Sequence, residues 1–370
     1  MRGDEFFCLL DGNELFHKMM ESRLAFFVHL CNHMPVQSPL DTLSRPIRDL
    51  RISVTDRCNF RCRYCMPAEV FGAGYEFLPK PEILTHEEIF QVARVFSLLG
   101  AEKLRITGGE PLLRKGLNEL IEMLDGIPGD RDLAMTTNGV LLGRHAEAMK
   151  AAGLARVTVS LDALNPEIFS AMNGVGASPT KVISGVDAAL SAGLGVKINC
   201  VVQKGVNEGE ILPLAEFARE RGVTLRFIEF MDTGNTNRWK HDQVVPSAEL
   251  LKSLREKYSL SKVMDPLLGE TANRYQYDDL DQVEVGFISS VSQPFCNNCN
   301  RARLSADGQI FTCLFAEKGH DLKALLRSGA SDEELGKEVA GIWTARGDRY
   351  SEIRADGGTR SKPEMSYIGG

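Results

Sequence analysis

Six of the nine cysteines fall into two trios: Cys58, Cys62 and Cys65 within DRCNFRCRYCMP (56–67), and Cys296, Cys299 and Cys313 within CNNCNRARLSADGQIFTC (296–313). Trios do not pair off into a disulfide framework. Thiolates gathered in threes point to metal, and a reducing compartment keeps them available. Iron–sulfur clusters are ordinarily held by four cysteines, so a C-x3-C-x2-C loop would bind three irons of a cubane and leave the fourth open to another ligand. Structural zinc is the alternative. It normally closes its tetrahedron with four protein donors and favours C-x2-C spacing, and the histidine nearest the first trio is His86. The second trio contains a C-x2-C pair but also lacks a fourth ligand, so both readings stand for it.

The elements that must position these thiols are legible from residue 50 onward. Apolar, β-branched runs recur at LRISVT (50–55), EKLRIT (102–107), DLAMT (132–136), RVTVS (156–160), VKINCVV (196–202) and TLRFIEF (224–230), and read as buried strands. Amphipathic stretches lie between them. In THEEIFQVARVFSLLG (85–100), Thr85 and Glu88 make a capping box and Gly100 supplies the stop. Strand then helix, six times over, implies a parallel sheet with right-handed crossovers. Six units rather than eight predict a partial (β/α)6 TIM-like barrel with a wide lateral mouth. In such sheets chemistry collects beyond the carboxyl ends of the strands. The first trio, GGEP (108–111), TNG (137–139), SLD (160–162) and EFMD (229–232) all follow strands, and Lys197 and Asn199 lie on the fifth.

Three regions follow: an N-terminal extension over 1–44, a core over 45–270, and a smaller C-terminal α+β domain over 271–370 with ADG (306–308) as a hairpin signal. The run LAFFVHLC (24–31) fits neither an anchor nor a secretory signal. The extension reads as dispensable, with Met34 as an alternative start. The end, RADGGTRSKPEMSYIGG, is flexible by composition. The chain has 370 residues with 43% hydrophobic and 25% charged content and a net charge of -7. These totals describe a soluble globular protein, argue against broad nucleic-acid binding and contain no membrane span.

A small anion remains compatible with that charge. No G-x-x-x-x-G-K-[ST] loop occurs, so a triphosphate would have to be held by side chains. Arg51, Arg105 and Lys197 sit on three strands near one end and could converge on it. Each taken singly also reads as an ion-paired surface residue. Cys200 reads as a core thiol. Glu110 reads equally as a turn cap or as a hydrogen-bonding partner for a ligand, and Gly108 and Gly109 allow a close backbone approach.

C-x3-C-x2-C with Tyr64 before its last cysteine, followed by GGEP, resembles the radical S-adenosylmethionine (SAM) enzymes. Together with LRITGGEPLLR, TTNG, VSLDAL, RFIEFM, CNNCNRARLSADG and a terminal GG, the chain from about residue 45 onward resembles the GTP 3′,8-cyclase branch of that superfamily. The resemblance implies two 4Fe-4S clusters: Cys58, Cys62 and Cys65 bind the one that carries SAM, and Cys296, Cys299 and Cys313 bind one that guanine approaches. It implies Tyr64, Gly109, Ser160 and Met231 around SAM, and Arg51, Arg105, Thr136, Lys197, Arg301, Ala302 and Arg303 around GTP. It further implies a deoxyadenosyl radical that takes hydrogen from ribose C3′, a slender Gly369–Gly370 tail entering the cavity, and a cytoplasmic homodimer. The implied partners are an electron donor such as flavodoxin or ferredoxin, and a downstream cyclic pyranopterin monophosphate synthase. The alternative is another radical SAM enzyme with an auxiliary cluster.

Overall fold

Side chains alternate along the central strands, and the alternation sorts polar from apolar residues onto opposite faces of one sheet. In the computed structural model, which describes residues 38–264, 269–354 and 362–369, the six expected strands are β1 (Asp49–Ser53), β2 (Lys103–Thr107), β3 (Asp132–Thr137), β4 (Arg156–Ser160), β5 (Gly195–Val202) and β6 (Thr224–Glu229). Leu50, Ile52, Leu104, Ile106, Val157, Val159 and Ile198 are wholly buried on the face that meets the helices. Truncating any of them to alanine removes about 2–5 kcal/mol. The other face carries Arg51, Arg105, Thr136, Lys197, Asn199 and Arg226, so the concave side is polar rather than a packed barrel core. Cys200 points outward into the apolar layer and is buried, as read from sequence.

The helices begin and end where the chemistry of their termini dictates. Thr85 and Glu88 form the expected capping box on the helix His86–Leu98, and Gly100 takes a left-handed φ of 107°. Asn165 caps Pro166–Asn173 by accepting from the Glu167 and Ile168 amides, and Ser178 caps Pro179–Ser191.

Six further strands extend the same sheet: β7 (Leu260–Lys262), β8 (Asn273–Tyr277), β9 (Glu284–Ile288), β10 (Arg301–Leu304), β11 (Gln309–Phe311) and β12 (His320–Asp321). Their order is β12-β11-β10-β1-β2-β3-β4-β5-β6-β9-β8-β7, and the sheet does not close. β10 joins β1 in parallel and β9 joins β6 in parallel. The C-terminal segment therefore builds both flanks of the core's sheet. The ADG hairpin is present between β10 and β11, with Gly308 at φ 86°.

Two sequence expectations need correction. Residues 39–44, assigned to the extension, belong to the compact unit that starts at Pro39. Leu40 bridges Pro46, and Asp41 is buried. At the other end, Met365–Ile368 is a short helix with Ile368 wholly buried, because an apolar residue and hydrogen-bonded neighbours anchor a segment whose composition reads as loose. The run at 24–31, Met34 and Gly370 lie outside the described residues.

Candidate active site

Strand register fixes what the concave face offers. Arg51 pairs with Arg303 on one side and Arg105 on the other, so three guanidinium groups stand side by side on β10, β1 and β2. One step on, Thr136, Thr158 and Lys197 are aligned across β3, β4 and β5. All of these side chains except Thr158 line a cavity of about 670 Å³ that also contains all six trio cysteines, a size suited to a ligand larger than a simple metabolite.

The first trio lies on the loop after β1, at the carboxyl ends of the strands. The loop is fastened to the next strand end by the amides of Gly109 and Glu110, which donate to the carbonyls of Thr55 at 2.7 Å and Arg57 at 2.8 Å. A Cβ on Gly109 would stand 2.3 Å from the Arg57 carbonyl oxygen, and one on Gly108 would stand 2.5 Å from that of Thr55. The glycines thus let two loops meet, and Gly109 also faces the cavity. Glu110 proves to be a clasp. It is fully buried, accepts from the Leu112 and Asn138 amides and the Thr137 hydroxyl, and is pushed up to about 7 by burial.

Tyr64 donates to Asp162 at 2.7 Å, and Asp162 also accepts from the Val201 amide. Burial raises Asp162 to about 6. Asn138 reaches towards Cys58 and bonds Asn59 at 2.7 Å. Burial, then Glu110, pushes the Cys58 thiol up to about 11. Burial and the neighbouring thiols raise Cys62 and Cys65 too. Ser160 and Met231 line the same end.

The second trio does not join the carboxyl ends, where sequence reading gathers the unusual residues. Cys296 and Cys299 immediately precede β10, and the Asn300 carbonyl accepts from the amides of Arg48 and Asp49, which puts them at the amino ends. Cys313 follows β11, which returns antiparallel to β10 and brings it back beside Cys299. The trios thus occupy opposite ends of the cavity. From Asp49 to Thr55 the strand advances roughly 20 Å at about 3.3 Å per residue. Burial raises Cys299, but the guanidinium groups of Arg301, whose Nη2 is 3.1 Å from its sulfur, and Arg346 outweigh it and bring the thiol down to about 6. Burial and Asp348 push Cys313 up to about 12.

Among the described residues, Arg51, Arg105 and Lys197 make no hydrogen bond or ion pair, and the Nε atoms of both arginines are buried without a partner. Unit charges held about 5 Å apart repel by about 3 kcal/mol at an effective dielectric of 20. Asp49 on the same face offsets part of that repulsion for Arg51 and Arg105, and a bound anion would offset more. Burial, followed by Arg303 and Arg105, lowers Arg51 well below its usual value. Burial, then Arg226, Arg156 and Lys103, takes Lys197 down to about 8. Arg303 bonds the Gly369 carbonyl. A Cβ on Gly369 would meet Thr107 at 2.5 Å, so a bare backbone suits the tail's path along the cavity wall.

Arg301, Arg303 and Thr136 line the cavity, whereas the Ala302 side chain lies on the opposite face of β10, wholly buried against the core. Sequence reading assigned no role to Arg226, Asn138, Asp162 or Arg346, all of which line the cavity. Asn138 and Asp162 stood within motifs already singled out. Arg226 shares the inward parity of Thr224 and Ile228 on β6, a signal open to inspection. Arg346 had none.

The donor sets fit iron–sulfur clusters at both ends. Among the described residues no three His, Cys, Asp or Glu side chains converge as the ligands of a single ion do.

Comparison with known proteins identifies the family. Residues 52–218 match the model of the Radical SAM superfamily, and residues 223–352 match that of Molybdenum Cofactor Synthesis C. A curated GTP 3′,8-cyclase from Acidothermus cellulolyticus is 48% identical over 357 residues, covering 89% of this chain and 98% of its own. One from Staphylococcus haemolyticus is 47% identical over 335 residues, again covering 89% of this chain and 98% of its own. The structure of Streptococcus suis SuiB bound to S-adenosylmethionine shares the fold at a TM-score of 0.58 and 14% identity, over 88% of this chain and 76% of that one.

Proposed function

The chain belongs to the GTP 3′,8-cyclases, radical SAM enzymes of molybdenum cofactor biosynthesis, and from that premise we propose a division of labour along its cavity. The enzyme converts GTP to (8S)-3′,8-cyclo-7,8-dihydroguanosine 5′-triphosphate. In this reading Cys58, Cys62 and Cys65 hold the 4Fe-4S cluster that binds SAM, with Tyr64, Gly109, Ser160 and Met231 around it. Cys296, Cys299 and Cys313 hold a second 4Fe-4S cluster at the guanine. When bound, the first cluster and SAM supply reductive cleavage of the sulfonium and removal of hydrogen from ribose C3′. C3′ then bonds to guanine C8, and one electron and one proton complete the product.

The chain's own residues bind and orient. Arg51, Arg105 and Lys197, with Thr136, Arg301 and Arg303, take the triphosphate, each charged hydrogen bond contributing about 1.5–3 kcal/mol; Ala302, facing the core, serves only to space the two arginines. Asp162 fixes Tyr64, and Glu110 fixes the loop that faces SAM. The single observation that carries this reading is the set of three cations without a hydrogen-bond or ion-pair partner among the described residues, Arg105 buried and Arg51 and Lys197 half-buried, between two cysteine trios. Four elements rest on the family alone: an electron donor such as flavodoxin or ferredoxin, delivery of product to cyclic pyranopterin monophosphate synthase, a homodimer, and a cytoplasmic setting. Among the described residues no helix is long and apolar enough to cross a membrane.

The test is anaerobic incubation with SAM, dithionite and GTP deuterated at C3′. Deuterium in 5′-deoxyadenosine is the expected result; unlabelled 5′-deoxyadenosine formed alongside product would refute abstraction at that carbon.

A further inference from the structure

We propose that an ionic clamp of buried Asp41, Arg45 and Arg346 with half-buried Asp348 sets the spacing of the second cysteine trio and is required for its cluster to assemble. The inference rests on the reading of that trio as a cluster site. Asp41 comes from the lead-in before β1, and Arg346 and Asp348 follow the helix Asp332–Thr344. The clamp therefore joins segments some three hundred residues apart in sequence.

Asp41 is 6% exposed, Arg45 3% and Arg346 4%, so water screens none of these charges. Asp41 Oδ1 accepts from the amides of Leu43 and Arg45, both at 2.9 Å. Its Oδ2 accepts from Arg45 Nε at 2.6 Å and Arg346 Nη1 at 3.2 Å. One carboxylate thereby orients two guanidinium groups.

Each guanidinium then holds one cysteine's backbone. Arg45 Nη1 donates to the Cys296 carbonyl at 2.6 Å, and Arg346 Nη1 donates to the Cys299 carbonyl at 2.7 Å. The third cysteine is reached through its neighbour, since the Thr312 hydroxyl donates to Asp348 Oδ2 at 2.6 Å while Arg346 Nε lies 3.4 Å from the same oxygen. Arg45 Nη1 also donates to the Asp348 carbonyl at 2.9 Å. The Trp343 indole, which donates to the Arg45 carbonyl, lies under the Arg346 guanidinium at 4.5 Å. A cluster needs three sulfurs at fixed separations, and a trio split between two chain segments has no local sequence constraint to provide them. The first trio sits within one loop, where Arg61 Nη1 donates to the Cys58 carbonyl at 2.8 Å, so its spacing is set locally. Asp41, Arg45, Arg346 and Asp348 are positioning residues in this scheme.

The test counts iron after anaerobic reconstitution with ferrous iron and sulfide. Two clusters of four give about eight irons per wild-type chain. In a Cys62→Ser background only the second trio binds, and Asp41→Asn takes the count from about four to near zero. In a Cys299→Ser background, where the first cluster remains, Asp41→Asn leaves about four irons. Loss in both backgrounds means general unfolding and overturns the clamp; retention in both overturns it equally. Thr312→Val is a milder variant that removes one hydrogen bond. It is expected to release second-cluster iron to a chelator about tenfold faster without affecting the first, on the scale of one hydrogen bond to a charged group, and an unchanged rate counts against the proposal. A wild-type chain that binds only about four irons overturns the cluster assignment itself, an outcome distinct from failure of the clamp.

Discussion

The two ends of the cavity hold the same donor set, and they differ at one thiol: Cys299 is drawn down by arginines, while Cys313 beside it is raised by burial as the first trio is. At the carboxyl end burial and Glu110 raise Cys58, and the other two thiols are raised with it. At the amino end Arg301 and Arg346 overcome burial and bring Cys299 down to about 6. Burial dominates at the first trio, whereas Cys299 of the second shares Arg301 with the cavity that holds the guanidinium ladder. On the proposed function, that difference falls between the end assigned to SAM and the end assigned to the nucleotide.

The sharpest way to break this comparison is to remove one thiol from each end. Cys62→Ser is expected to abolish both 5′-deoxyadenosine and cyclised product. Cys299→Ser is expected to abolish product yet leave SAM cleavage above background, because the first trio is intact at the far end. Chromatographic measurement of both compounds under dithionite decides it. Equal loss of SAM cleavage in the two variants would mean that the ends do not act separately.

Much of the carboxyl end was legible because its signals are local. Cysteine spacing, GGEP, TNG and SLD each follow a strand whose alternation announces it. The amino end was hidden by pairing between distant segments. Nothing in CNNCNRAR says that Arg301–Leu304 will lie parallel to β1, yet that pairing turns the second trio to the opposite end and puts Arg303 beside Arg51. Asp41 was assigned to the extension because its partners, Arg45 and Arg346, are brought to it only by the folded chain. The tail was legible in kind, since GG predicts a bare backbone, but its contact with Arg303 was not.

The ladder between the ends sharpens the comparison next. Arg51→Gln removes the central guanidinium, and with it one charged hydrogen bond to triphosphate, raising the KM for GTP about tenfold to a hundredfold. The same change relieves repulsion from Arg105 and Arg303, so the GTP-free protein is expected to melt about 2 °C higher. Steady-state kinetics and calorimetry read the two effects. A variant that binds GTP worse and also melts lower would show that Arg51 is a structural cation.

The smallest effect concerns Lys197, the cation with the most accessible titration. Burial, then Arg226, Arg156 and Lys103, depresses its ammonium to about 8 in the GTP-free chain. The charged form is the one that attracts phosphate, so attraction is present below that value and lost as pH rises through it. From pH 7 to pH 9 the charged fraction falls by about tenfold, which sets the largest rise in KM that this residue can cause. Lys197→Arg keeps its charge throughout the window and flattens the profile, because a guanidinium does not titrate there. Lys197→Met also flattens it, at the higher KM that the wild type reaches at pH 9. A wild-type KM constant over the window would mean that Lys197 is neutral at pH 7 or makes no contact with the nucleotide, and the anion site would then rest on the arginines alone.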